Sequence, residues 1–205
     1  MPVAAALFAR GIAAGAAIAA PVGPMSLLCM RRTLVQGWWF GMGTGAGIAC
    51  GDGLYALVAA FGLAGVMRFM LAHERPLHLA AGALLVWIGW RTFFDRASDM
   101  DREPAKAPSV GAAWGSALLL TLTNPPTILA FVAVFSALVP SGLDAFGALA
   151  LVVGVFTGSL AWWLLLTLLV AAARHALGTR ARRWIDRVSG AILGILGAAE
   201  LRRAV

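Results

Sequence analysis

Few residues of this 205-residue chain could do chemistry, and those that could lie in or beside apolar runs. Asp52 is the only acid well inside such a run. A charge at the centre of a bilayer costs about 2.5–3.5 kcal/mol on insertion scales, so a carboxylate held there is either compensated or used. Used, it is a protonatable or cation-binding group in a cavity; compensated, it is capped by backbone amides or by Tyr55, the lone tyrosine, at i+3. The second chemical feature is conformational. Pro21, Gly23 and Pro24 interrupt one apolar run, and Asn124, Pro125 and Pro126 interrupt another. Each proline removes an amide donor and clashes with the carbonyl one turn earlier. In lipid, the carbonyls so freed must face protein or a water-filled cavity. Two such elbows offer a polar solute carbonyls, amides and half-helix ends, the N-terminal ends favouring a carboxylate and the C-terminal ends an ammonium. Asn124 adds donor and acceptor capacity, and Thr121 and Thr123 are placed to refill the hydrogen bonds lost at the prolines. The alternative is a pair of packing kinks, since proline is commoner in membrane helices than in soluble ones.

Catalytic patterns are thin. His73, His78 and His175 are not spaced as a metal site, no serine sits in a Gly-x-Ser-x-Gly elbow, and no glycine-rich phosphate loop with lysine occurs. Cys29 and Cys50 lie within apolar runs and read as small buried hydrophobes. No enzyme, cofactor or metal site is expected.

The elements that must position Asp52 and the two elbows are membrane helices. The chain is 61% hydrophobic and 12% charged, with a mean hydropathy of +0.87, against about 45–50% and about 25% for soluble domains. The net charge of +7 comes from arginines between apolar runs, where they meet lipid headgroups, and no basic face with interleaved aromatics suggests nucleic acid. The uncharged runs hold six spans of roughly 20 residues with little left over. They lie near residues 4–30, 40–67, 77–94, 111–139, 143–173 and 188–201, with Arg31 and Arg32 stopping the first and a basic segment, 174–187, preceding the last. No positive charge precedes the first apolar stretch, which reads as a retained span rather than a signal peptide.

The spans repeat. Gly11 and Gly15 precede the first break as Gly111 and Gly115 precede the second, and Gly82 to Gly89 reads like Gly190 to Gly197. The expected fold is therefore all-α: six transmembrane helices as two three-helix repeats, residues 1–94 and 111–205, joined by a hydrophilic cytoplasmic linker, 95–110. Because three is odd the repeats are inverted, and broken helices 1 and 4 at matching places point to a binding site. The stripes Gly43, Gly47, Gly51 and Gly154, Gly158 suit close helix packing more than contact with a solute. Loops after spans one, three and five carry eleven arginines and lysines against five on the other side, which puts both termini outside.

Gly15 through Pro24, the following Arg31-Arg32, the Gly43 to Asp52 stripe, Asn124-Pro125 and the repeated closing spans together resemble the lysine exporter (LysE/RhtB) family of amino-acid efflux translocators, over almost the whole chain. That family typically has Pro-Gly-Pro in the first helix and Asn-Pro in the fourth. Here Val22 separates Pro21 from Gly23, and Pro126 stands where a lysine commonly follows Asn-Pro. The resemblance implies a secondary transporter of the inner membrane that exports an amino acid or similar small zwitterion by proton antiport. Pro21, Gly23, Pro24, Asn124 and Pro125 would face the substrate, and Asp52 would couple the proton. The expected partners are that small molecule and the lipid bilayer, with homo-oligomer formation left open. A metal-cation exporter, which would need more acids in the membrane than Asp52, and a non-transporting scaffold or assembly factor are the alternatives.

Overall fold

The structure, a computed structural model, describes residues 2–21, 23–61, 69, 72–94, 109–138, 143–174 and 179–203. Its described regular elements are eight helices: α1 (Pro2–Ala19), α2 (Pro24–Val35), α3 (Trp38–Ala60), α4 (Glu74–Phe94), α5 (Val110–Thr123), α6 (Pro125–Leu138), α7 (Ala145–Arg174) and α8 (Thr179–Arg203). Val22, Arg68, His175 and residues 95–108 of the expected linker lie outside the described residues. The linker's last two positions are already structured, Ser109 capping α5 through its hydroxyl and Val110 opening it.

Each proline break ends one helix and starts another at a large angle, because the chain cannot carry the ladder through residues without an amide hydrogen. The axes of residues 3–19 and 24–35 differ by 82°, and those of 110–123 and 126–135 by 67°. By length and composition, and among the described residues, Ala145–Ala173 can cross a membrane alone and each bent pair can do so together. α3 is diluted by six glycines and Asp52, and α4 and α8 carry charges at their ends. Two boundaries differ from the sequence reading. Arg31 and Arg32 do not stop the first span but lie inside α2, where Arg32 hydrogen-bonds across to other helices. The basic segment before the last span is helical from Thr179 onward, since arginine is itself a good helix former.

The helices pack through small residues. α1 lies on α7 with Gly11 and Gly15 against the backbones of Leu151, Gly154 and Val155, and with Gly158 against that of Ile12. α3 lies on α5 with Gly43, Gly47 and Gly51 against Val110, Trp114 and Thr121, while Gly45 receives Trp163 of α7. α4 and α8 meet through Gly82, Gly89, Gly190 and Gly197. A Cβ at these positions would collide with the facing chain, so the glycines set how near the helices come. Gly115 is different: nothing lies within 4 Å of where its Cβ would be.

Polarity is distributed inside out. α7 turns Leu149, Val153, Leu165, Leu168 and Leu169 outward and buries Ser159 and Thr167 completely. The interior between the helices holds Tyr55, Phe131, Leu151 and Val155 together with Asp52. Such an exterior has no business with water and fits lipid.

Candidate functional site

Asp52 sits on α3 immediately after the glycine stripe, so the close approach of α5 and α7 that those glycines permit also buries the carboxylate, to 2% exposure. Its Oδ2 accepts a hydrogen bond of 2.6 Å from the hydroxyl of Ser159 on α7, itself fully buried. Its second oxygen has no hydrogen-bond partner among the described residues. Neither backbone amides nor Tyr55, the capping routes weighed from the sequence, bonds it among the described residues. Tyr55 instead reaches α5, where its hydroxyl donates to the Leu122 carbonyl at 2.8 Å. Leu122 is four residues before Pro126 and its carbonyl is one that the break leaves without an amide donor. Thr121 and Thr123 bond to Ala117 and Leu119 within their own helix. The tyrosine thus does the work expected of the threonines.

Both breaks and Asp52 border one cavity of about 230 Å³. Pro21, Gly23, Pro24 and Ser26 line it from the first break, Thr121, Asn124, Pro126 and Thr127 from the second, and Ile48, Met25 and Trp163 give it apolar walls. Pro125 opens α6. At roughly 30 Å³ per water, the cavity has room for about seven or eight waters. The indole N–H of Trp163 finds no acceptor among the described residues.

The two half-helix starts are not equivalent. At α6, Pro125 and Pro126 have no amide hydrogen, and the amides of Thr127 and Ile128 both bond to the Asn124 carbonyl, at 3.0 and 3.3 Å. At α2, Pro24 takes the first position, where a missing donor costs least, and the amides of Met25 and Ser26 have no partner among the described residues. Anion-receiving capacity therefore rests with α2. The Asn124 side chain is held by its amide nitrogen donating to the Thr127 hydroxyl at 2.9 Å, which leaves its carbonyl oxygen uncommitted among the described residues. One carboxylate, one amide carbonyl and one helix start with amides unpartnered among the described residues thus lie around this space.

Asp52, the two breaks and Asn124, named from the sequence, border one cavity, whereas Ser159, Trp163 and the Tyr55 contact at the second break were not named from it. Ser159 carried one usable signal: Gly154, Gly158 and Ser159 repeat the pattern Gly47, Gly51 and Asp52 at a constant offset of 107 positions.

A family model described as LysE type translocator matches residues 16–203. Among curated proteins, the chain is 29% identical over 172 residues to the uncharacterized membrane protein YahN of Escherichia coli (strain K12), covering 81% of this chain and 76% of that protein. It is 26% identical over 197 residues, 93% of each chain, to YcgF of Bacillus subtilis (strain 168), whose name provisionally calls it an amino acid efflux protein. It is 27% identical over 157 residues to a threonine efflux protein of Escherichia coli (strain K12), covering 74% of this chain and 76% of the relative. No solved structure matches the chain.

Proposed function

The chain belongs to the LysE type translocator family, a family of membrane transporters rather than enzymes, and from that premise we propose that it is a secondary-active exporter of amino acids or similar small zwitterions, driven by proton antiport. The observation that carries this reading is the single cavity bordered by both helix breaks and by Asp52. In it the substrate's ammonium lies toward the Asp52 carboxylate and the Asn124 carbonyl, and its carboxylate toward the open amides of Met25 and Ser26. The volume, about 230 Å³, is enough for a small zwitterion. Asp52 takes up a proton when the ammonium leaves and gives it up when the next one binds, which couples the two movements. The efflux relatives named above support the same class of substrate.

The architecture we propose is six spans in two inverted halves, residues 1–94 and 111–205, with the segment between them on the cytoplasmic side of the inner membrane and both termini outside. Its support lies in the contact pattern. Exchanging α1, α3 and α4 for α5, α7 and α8 turns the α1–α7 contact into the α5–α3 contact and returns the α3–α7 and α4–α8 contacts to themselves. Broken helices at corresponding places then lie around a site that each half can close in turn.

Overproducing the protein in cells challenged with toxic concentrations of amino acids and their analogues tests the function. Protection against a narrow set of small zwitterions is expected. A membrane-inserted protein that protects against none, and that moves no amino acid in vesicles, would overturn the reading.

A further inference from the structure

Arg32 is a half-buried cation whose hydrogen bonds among the described residues go to neutral oxygens. Its Nη1 donates to the Thr44 hydroxyl of α3 at 2.9 Å and to the Ala113 carbonyl of α5 at 3.0 Å, and its Nη2 donates to the Ser116 hydroxyl of α5 at 2.9 Å. Of the carboxylates whose side chains are described, none faces it: Asp52 is held by Ser159, Asp144 caps α7 at Gly147, and Glu200 pairs with His78 and Arg203. Neutral acceptors hydrogen-bond a guanidinium but do not cancel its charge, which a carboxylate does while matching its two terminal nitrogens bidentately.

The position matters as much as the charge. Arg32 is seven residues beyond Met25 on α2, about 10 Å, and Thr44 is eight residues before Asp52 on α3, about 12 Å. Ser116 is five residues before Thr121 on α5, about 8 Å. All three helices therefore carry the cluster one to two turns from the cavity, on the side where α2 turns into α3. Buried Leu28, Ile48, Ala117 and Leu120 lie between. The hydroxyls of Thr44 and Ser116 donate to Phe40 and Ala113 of their own helices, so losing Arg32 strands no donor on α3 or α5.

We infer that Arg32 is a receiving station for the carboxylate of the transported zwitterion, where the substrate is taken up before it moves on to the cavity. This rests on the exporter reading above. The two hydroxyl oxygens, one on each terminal nitrogen, hold the places of the two oxygens of a bidentate carboxylate. When the substrate arrives it displaces them, the tie between α2, α3 and α5 is released, and the apolar layer beneath is free to part. From there the carboxylate passes along α2 to the open amides at that helix's start.

The test is uptake of L-threonine and L-threoninamide by purified protein in phosphatidylcholine vesicles. The wild type should favour the acid over the amide, and Arg32→Gln, which keeps hydrogen-bonding groups without the charge, should raise KM for the acid about tenfold or more relative to the amide and so abolish the preference. Equal effects on both, or none, would overturn the inference. Thr44→Val removes a place-holder and should lower KM for the acid; an unchanged or higher KM counts against the station even if Arg32→Gln does not insert. An acid preference that depends on Arg32 only when phosphatidylglycerol is added would assign the guanidinium to a lipid headgroup and overturn the inference too. If the wild type moves neither compound nor any other amino acid, the exporter reading itself fails, an outcome distinct from a wild type that transports and a variant that keeps its preference.

Discussion

At the scale of the residue, the site turns on polar groups that are buried together from distant parts of the chain. Asp52→Asn keeps the shape of the carboxylate and its Ser159 contact but cannot gain or lose a proton. It should abolish export driven by a pH gradient in vesicles while the protein still inserts, and full gradient-driven transport by that variant would remove Asp52 from the coupling. Tyr55→Phe strips a donor from the Leu122 carbonyl at the second break. An unsatisfied buried acceptor costs about 1–3 kcal/mol, so unfolding in mild detergent should come at lower temperature, with substrate selectivity unaltered. Asp52 and the prolines were legible in the sequence because each is costly in an apolar run and so announces itself. Tyr55, Ser159 and Arg32 were not, since their partners lie 67, 107 and 81 to 84 positions away and no local periodicity records such pairs.

At the scale of the element, the helix breaks and the glycine stripes divide the work. The breaks border the cavity, and the stripes bring the helices near enough to wall it. Gly15 and Gly115 look alike in the sequence, each four residues after another glycine. The structure separates them: a Cβ on Gly15 would run into the backbone of Val155, whereas a Cβ on Gly115 meets nothing within 4 Å. Gly15→Ala should therefore destabilise the α1–α7 contact by about 1–3 kcal/mol. Gly115→Ala should be neutral or gain up to about 1 kcal/mol from helix propensity. Thermal unfolding of the two variants side by side checks this, and equal losses would mean that the α1–α7 approach is not what the glycine sets. The repeat in the sequence located both glycines, but which of them touches another helix depends on rotation about the helix axis, and an alanine- and glycine-rich run leaves that rotation unmarked.

At the scale of the whole molecule, the principal contacts join the first half to the second: α1 to α7, α3 to α5 and α7, and α4 to α8. Neither half has a core of its own under the proposed division. Fragments 1–101 and 102–205 produced together should copurify, and either produced alone should be degraded; stable fragments that do not associate would contradict the interlocked arrangement. The halves are alike in outline and unlike in charge, for the position in α6 that matches Arg32 by the spacing of Pro24 and Pro125 is Ala133. Asp52 and Ser159 are a related case. They occupy the same place in Gly-x-x-x-Gly patterns of α3 and α7, and they touch. Were both acids, two carboxylates would share one site, and like charges so close cannot both ionise. The pair would hold a proton in common over a wide pH range, as a dyad does. With a hydroxyl on one side, the chain has a single titrating group where a twofold arrangement has room for two, and on the proposed coupling that fixes the stoichiometry at one proton per cycle.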